Sequence, residues 1–382
     1  MVTVKNNKFK GIEKNPSVLG FGCMRFPTKE DGSIDYEKSM EMIDYAYNNG
    51  VTYFDTAYPY HNGESEIFIG HALKKYPRES FYLADKMPTW HVKSLEDVKR
   101  IFNEQLKKTQ VEYFDYYLLH ALNKDTYVNY RIPGVMDYLY DLKKKGIIRH
   151  LGFSFHDSPE VLKDILEEFE FDFVQIQLNY LDWDYQKASE QYQIIKDYNL
   201  PIIIMEPVRG GTLADLGSDC NNILKGFNND ASIASWAIRY AMDKEQVMTV
   251  LSGMSTFEQV MDNINTASPF IPFNNEEKLV LDKTLKQFLD SRIIPCTGCR
   301  YCMDCPMGVD IPLNFKQYNN YRISKREKGF IKWFIESDKN ASLCVGCNKC
   351  VSKCPQHIDI PNRFKDILEF INANKEKYSE NL

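Results

Sequence analysis

The chain has 382 residues, 43% of them hydrophobic and 26% charged, with a net charge of −6. That length accommodates one large domain and a small one, and the acidic balance gives no reason to expect nucleic acid or an anionic membrane as partner. No run of about 18 apolar residues offers a membrane span. The basic N-terminal stretch MVTVKNNKFKGIEKNP has no apolar stretch behind it, so a cytoplasmic protein with reduced thiols is expected.

In chain order, short apolar runs alternate with amphipathic stretches at a spacing of roughly 30 residues. The candidate strands are SVLGFG (17–22), VTYFD (51–55), FYLAD (81–85), FDYYLL (114–119), RHLGFS (149–154), FDFVQIQ (171–177), PIIIME (201–206) and VMTVLSG (247–253). Between them, DYEKSMEMIDYAYNNG puts Met40, Ile43 and Tyr47 on one helical face and stops at Gly50, a natural C-terminal cap. SLEDVKRIFNEQLKKTQ opens with Ser94 and carries Asp97 three residues on, a capping box with Asp in place of Glu. NDASIASWAIRYAM and STFEQVMDNINTA follow the same helical logic. Eight such repeats predict an α/β fold, a (β/α)8 barrel over residues 1–275. The alternative is an open doubly wound sheet, weakened because no G-x-G-x-x-G follows the first strand. Residues 276–292 read as a connecting helix and 293–382 as a small, mainly helical domain.

In a barrel, chemistry belongs at the C-terminal ends of the strands. Strand two ends FDTAYPY, giving Asp55 and Tyr60; strand three ends LADK, giving Lys86; strand four ends YYLLH, giving His120. Singly, each has an ordinary reading: the Asp caps a helix, and the Tyr and His pack. Together they form a proton-delivery set. A Tyr with a pKa of about 10 is a poor acid at neutral pH. A neighbouring ammonium is expected to lower that value and ease the proton toward a developing alkoxide. A carboxylate holds the ammonium in place, and a His can orient a carbonyl oxygen.

These residues, with GFGCMR after strand one and FDTAYPYHNGESEIFIGHAL after strand two, resemble the aldo-keto reductases over about residues 1–275. The resemblance implies a catalytic tetrad of Asp55, Tyr60, Lys86 and His120, and an NADP or NAD cofactor extended across the barrel mouth. It also implies cofactor contacts from Gly22 and Met24, from Ser154 and Gln175 to the carboxamide, from Met205 under the nicotinamide ring, and from Ser255, Asp262 and Asn263 at the adenine end. The chain departs from the family in three places. Phe155 follows Ser154 where Asn is usual, with His156 the nearest replacement donor; Met205 replaces an aromatic; and Gln259 stands where an Arg often clamps a 2′-phosphate. Arg209 and Lys225 are the basic residues available to compensate, and the choice between NADP and NAD stays open.

Eight of the ten cysteines lie in CTGCRYCMDCP (296–306) and CVGCNKCVSKCP (344–355). The second is the bacterial iron–sulfur run C-x2-C-x2-C-x3-C-P, and the first differs by one residue. Two four-cysteine zinc sites are the alternative, but zinc ribbons separate two C-x2-C pairs by a spacer. The expected cofactors are two [4Fe–4S] clusters. By the two-cluster rule, Cys296, Cys299, Cys302 and Cys354 hold one, and Cys344, Cys347, Cys350 and Cys305 the other. The echo of GVDIPLNF in HIDIPNRF is an internal repeat. It resembles the helical two-cluster ferredoxin module of succinate dehydrogenase and heterodisulfide reductase subunits. Cys23 and Cys220 read as incidental.

The leading reading is an NAD(P)H-dependent oxidoreductase acting on a small carbonyl or alcohol. The second is a nicotinamide-binding redox sensor or ferredoxin-coupled carrier without carbonyl turnover, served by a redox partner protein. No flavin motif is evident in the sequence. Loops 120–134 and 210–226, with Tyr127, Tyr130 and Leu213, are the candidates for a substrate pocket.

Overall fold

The computed structural model describes residues 1–9, 11–290, 294–324 and 326–378. All eight expected strands form: β1 (Leu19–Gly22), β2 (Tyr53–Asp55), β3 (Tyr82–Pro88), β4 (Phe114–Leu122), β5 (Ile148–Phe155), β6 (Phe173–Gln177), β7 (Ile202–Met205) and β8 (Val247–Gly253). They pair in sequence order, all parallel, and β8 returns to β1 to close the barrel. Strands covered on both faces must be apolar nearly throughout, which is why their runs are continuous in sequence. Tyr53, Tyr116, Phe173, Ile203 and Met248 meet Phe9 and Ile12 in one buried cluster. These side chains lie toward the N-terminal ends of their strands, so the N-terminal segment packs the barrel's closed end.

The helix Tyr36–Asn48 buries Ser39, Met42, Ile43 and Ala46. This corrects the expected face: Met40 and Tyr47 are only half-buried, and Tyr47 stacks on Tyr76 with ring centroids 3.7 Å apart. Gly50 adopts the expected left-handed turn at φ +91°. Ser94 caps the helix Leu95–Thr109 by accepting from the Asp97 amide, while the Asp97 carboxylate accepts from the Lys93 amide at 3.2 Å. The reciprocal bond thus closes one residue earlier than in a standard box. No helix among the described residues is long and apolar enough to cross a membrane.

The chain divides into two compact units, Met1–Pro207 with Ser235–Phe273, and Val208–Ala234 with Asn274–Leu382. The segment after β7, expected among the barrel loops, therefore clusters with the C-terminal residues. Its helix Ser218–Phe227 packs against the helix Asn275–Asp290, where Cys220 Sγ donates to the Thr284 carbonyl at 3.8 Å. That second helix occupies most of the expected connector; residues 291 and 292 of the connector lie outside the described residues.

The helices Ile311–Ser324, Glu327–Glu336 and Ile360–Asn374 follow. Their apolar faces join a core that includes Val309, Ile311, Phe315, Ile358, Ile360 and Phe364. The sequence echo is a structural repeat. Phe315 and Phe364 meet with ring centroids 5.1 Å apart. Asp310 and Asp359 accept from the amides of Leu313 and Asn362 at 3.1 and 3.3 Å. Gly298 and Gly346 both sit at φ +69°, and Arg300 and Asn348 at +66° and +61°.

Candidate active site and cysteine centres

Lys86 points from β3 into the barrel mouth with no exposure. Its Nζ donates to Asp55 Oδ1 at 2.5 Å, to the Thr56 carbonyl at 2.7 Å and to Tyr60 Oη at 3.3 Å. A buried ammonium needs a counter-charge and hydrogen-bond acceptors, and β2 with the turn after it supplies them. Burial pushes the Asp55 carboxyl up against the pull of Lys86.

Tyr60 departs from expectation. Burial, followed by the charges of Asp55, Cys23 and Glu206, raises its phenol well above the ordinary value, with Arg25 opposing. The expected lowering by Lys86 does not prevail, because burial and the neighbouring Asp55 charge outweigh it. Tyr60 consequently keeps an O–H to give.

The Tyr60 and His120 rings meet at 82°, with centroids 5.8 Å apart, and the Trp90 ring centroid lies 5.3 Å from that of the same imidazole. Burial first, then Lys86 and His156, hold the His120 pKa well below its usual range, so the ring stays neutral. Its position depends on a break that the sequence does not announce. Ala121 takes φ +55°, and the β4–β5 register shifts between Leu119 and Leu122, a bulge that re-aims the side chains around it. Ser154 fixes the break by accepting from the Ala121 amide at 2.8 Å.

Behind Lys86, Gln105 Nε2 donates to both the Lys86 carbonyl and Glu66 Oε1 at 3.0 Å. Asp85, buried beside Glu66, is pushed well up by desolvation and then by that second carboxyl. Across the mouth, Arg25 Nη2 reaches Glu206 Oε1 at 3.3 Å. Sequence reading missed these groups. Arg25 closes the GFGCMR motif, but nothing local announces its partner.

The expected cofactor contacts fall into two groups. Gly22 sits beside Gly253, where an added Cβ would stand 3.3 Å from the Gly253 amide nitrogen. Met24 lies half-buried in the turn after β1. Ser154 and Gln175 are buried at the ends of β5 and β6. Gln175 Nε2 donates to Met205 Sδ at 3.5 Å, and Gln175 Oε1 is buried without a hydrogen-bond partner. An orphaned amide oxygen fits a primary carboxamide, which donates through its N–H groups. Farther round, Ser255 Oγ donates to the Arg25 carbonyl at 2.9 Å, and the Ser255 amide donates to Gln259 Oε1 at 2.8 Å. Asn263 turns inward to Ser252 Oγ at 2.7 Å, while Asp262 is half-buried.

Other expectations are corrected. Arg209 is fully buried in the second unit, where it donates to Gln356 Oε1 at 3.2 Å. Lys225 donates to the Asn229 carbonyl at 2.8 Å. Tyr130 and Leu213 are 2% and 0% exposed, so both serve cores rather than an open pocket. Cys23 is buried, and burial raises its thiol well above the usual range.

In the second unit, no three or more His, Cys, Asp or Glu among the described residues close around a single metal ion. The thiols instead surround two cavities. One is lined by Cys296, Cys299, Cys302 and Cys354; the other by Cys305, Cys344, Cys347 and Cys350, with Cys302 at its edge. Each cavity draws thiols from both runs, the pattern that two cubane clusters with exchanged fourth ligands require. Burial raises the Cys296 and Cys302 thiols to about 12 and Cys350 to about 11. Cys347 alone of the eight is exposed.

A family model described as the aldo/keto reductase family matches residues 18–284, and one described as a 4Fe-4S dicluster domain matches residues 295–358. An uncharacterized oxidoreductase, YqkF, of Bacillus subtilis is 23% identical over 69% of this chain and 92% of its own. An NADH-specific methylglyoxal reductase of Escherichia coli is 23% identical over 61% of this chain and 84% of its own. Among solved structures, the holo form of the aldo-keto reductase AKR11C1 from Bacillus halodurans superposes with a TM-score of 0.61. It shares 25% identity and covers 74% of this chain and 96% of its own. A Klebsiella pneumoniae aldo-keto reductase in complex with NADPH gives the same TM-score at 20% identity, over 74% of this chain and 95% of its own.

Proposed function

This chain belongs to the aldo/keto reductase family, and on that premise we propose that it interconverts a small carbonyl compound and its alcohol with a nicotinamide cofactor, while its C-terminal unit holds two [4Fe–4S] clusters. The observation that carries the reading is the hydrogen-bonded set on Lys86 Nζ, which links Asp55, the Thr56 carbonyl and Tyr60 in a buried site. Tyr60 gives the proton to the oxygen of the reacting carbonyl. Lys86 stabilises the phenolate left behind, Asp55 fixes Lys86, and neutral His120 donates to the carbonyl oxygen and orients it. Ser154 and Gln175 hold the carboxamide, and Gly22, Met24 and Met205 line the adjoining floor. Ser255, Asp262 and Asn263 serve the far end of the cofactor, without a basic clamp that would commit it to NADP over NAD. When bound, the nicotinamide supplies or accepts the hydride.

Cys296, Cys299, Cys302 and Cys354 ligate one cluster, and Cys344, Cys347, Cys350 and Cys305 the other, in agreement with the two cavity linings. The exposure of Cys347 favours a second role, electron exchange between that cluster and an outside redox protein. Such a chain belongs in the reducing cytoplasm.

The test is Tyr60→Phe. Turnover of aldehydes should fall by about 10² to 10⁴-fold, while nicotinamide binding, followed by fluorescence, is retained. Unchanged turnover would sink the carbonyl chemistry. Anaerobic addition of NADPH and then NADH, with the cluster EPR signal followed, separates the roles: reduced clusters mean an electronic path, and clusters that stay oxidised confine hydride chemistry to the barrel.

A further inference from the structure

The two cysteine centres are built on the same repeat, yet their surroundings differ. In each half, the amide three residues after the last cysteine of the run donates back to that cysteine's carbonyl at 3.0 Å: Gly308 to Cys305, and His357 to Cys354. Counting from the Cys-Pro pairs, Met307 in one half corresponds to Gln356 in the other. Met307 is 43% exposed, and Val345 beside it in the same cavity is 64% exposed. Gln356 is 6% exposed and accepts from the fully buried Arg209.

The segment after β7 is fitted closely to the first run. Gly210 sits at φ +61°, and a Cβ there would lie 1.8 Å from the Thr297 carbonyl oxygen, between Cys296 and Gly298. Only glycine allows that approach. Arg209 itself adopts φ +50°, a conformation that costs a non-glycine residue about 1 kcal/mol or more and persists where the surroundings impose it. A guanidinium is permanently charged, and burying it demands negative charge nearby. Its acceptor Gln356, at 3.2 Å, and Thr297, which Gly210 abuts, both line the cavity of Cys296, Cys299, Cys302 and Cys354.

We infer that Arg209 is a positioning residue of the cluster held by Cys296, Cys299, Cys302 and Cys354, and that its fixed positive charge holds up a reduction potential which burial alone would depress. The inference rests on the two-cluster reading above. Adding an electron to an anionic centre is disfavoured in a dry cavity and favoured by an adjacent cation, and charge and hydrogen bonding are among the levers that set cluster potentials. The other centre, open at Met307 and Val345, has no counterpart of this segment among the described residues.

The experiment is an anaerobic EPR-monitored potentiometric titration of the full-length protein, with iron and sulfide content measured on each sample. Arg209→Gln should lower one midpoint by about tenfold in the reduction equilibrium, about 59 mV for a one-electron couple, and leave the other in place. The signal it leaves alone should be the one altered by Cys347→Ser. Gln356→Glu keeps Arg209 and adds a carboxylate beside it, and should lower the same midpoint. Midpoints unmoved in both variants at full iron content overturn the inference. So does loss of iron in Arg209→Gln together with unmoved midpoints in Gln356→Glu, because Arg209 is then purely structural. Wild-type protein without about eight irons per chain would instead overturn the two-cluster reading itself.

Discussion

Lys86 and Arg209 are both among the largest fully buried side chains, one in each compact unit. Lys86 meets a carboxylate and a carbonyl from its own barrel at 2.5 and 2.7 Å. Arg209 meets the amide oxygen of Gln356, which lines the cavity of Cys296, Cys299, Cys302 and Cys354. The barrel site is therefore electrostatically complete as polypeptide. On the two-cluster proposal, the cysteine unit gains its negative charge when its thiols are ligated. On that proposal the barrel stands ready before any cofactor arrives, whereas the cysteine unit depends on what it binds.

The strongest way to break that contrast is to strip the iron. Chelation under mild oxidation should leave the barrel's far-ultraviolet dichroism and cooperative unfolding intact, while residues 294–378 become fully susceptible to limited proteolysis. A single transition that shifts both units together would show that the barrel also depends on the clusters.

A smaller effect sharpens the barrel side. Lys86→Met leaves Asp55 buried without its cation and should cost about 3–5 kcal/mol of stability by chemical denaturation, along with turnover. Adding Asp55→Leu should restore most of the stability and none of the turnover. Failure of the second change to restore stability would mean that the pair acts through something other than charge.

The smallest effect lies in pH. His120 is held well below its ordinary value of 6.5 in the fold. As pH falls below about 6.5, the unfolded chain takes up a proton there that the native chain refuses, so stability falls by at most about 1.4 kcal/mol per pH unit. Above that pH the penalty is absent. His120→Gln should flatten the stability profile between pH 6.5 and 5 and leave the alkaline side unchanged; an unaltered acid limb would assign the loss to other groups.

Much of the molecule was legible from local pattern. The eight strands were marked by continuous apolar runs, and Asp55, Tyr60, Lys86 and His120 by their places at successive strand ends. That Cys354 lines a cavity with the first run's thiols, and Cys305 one with the second run's, agrees with the expectation from spacing. The Ala121 bulge was hidden because alanine rarely takes a positive φ and carries no signal that it will. The raised Tyr60 phenol is not legible in sequence, because it follows first from burial, which no local pattern around Tyr60 reports.

By itself, the sequence determined the barrel, the strand-end places of Asp55, Tyr60, Lys86 and His120 and the two cysteine runs, since backbone period, strand-end position and cysteine spacing are all written over a few neighbouring residues. Only the tertiary structure decided that the turn after β7 belongs with the cysteine unit and that Arg209 lies against Gln356, 147 residues away. A buried charge is located by the partners folding brings to it, and partners so distant in the chain share no local pattern with it.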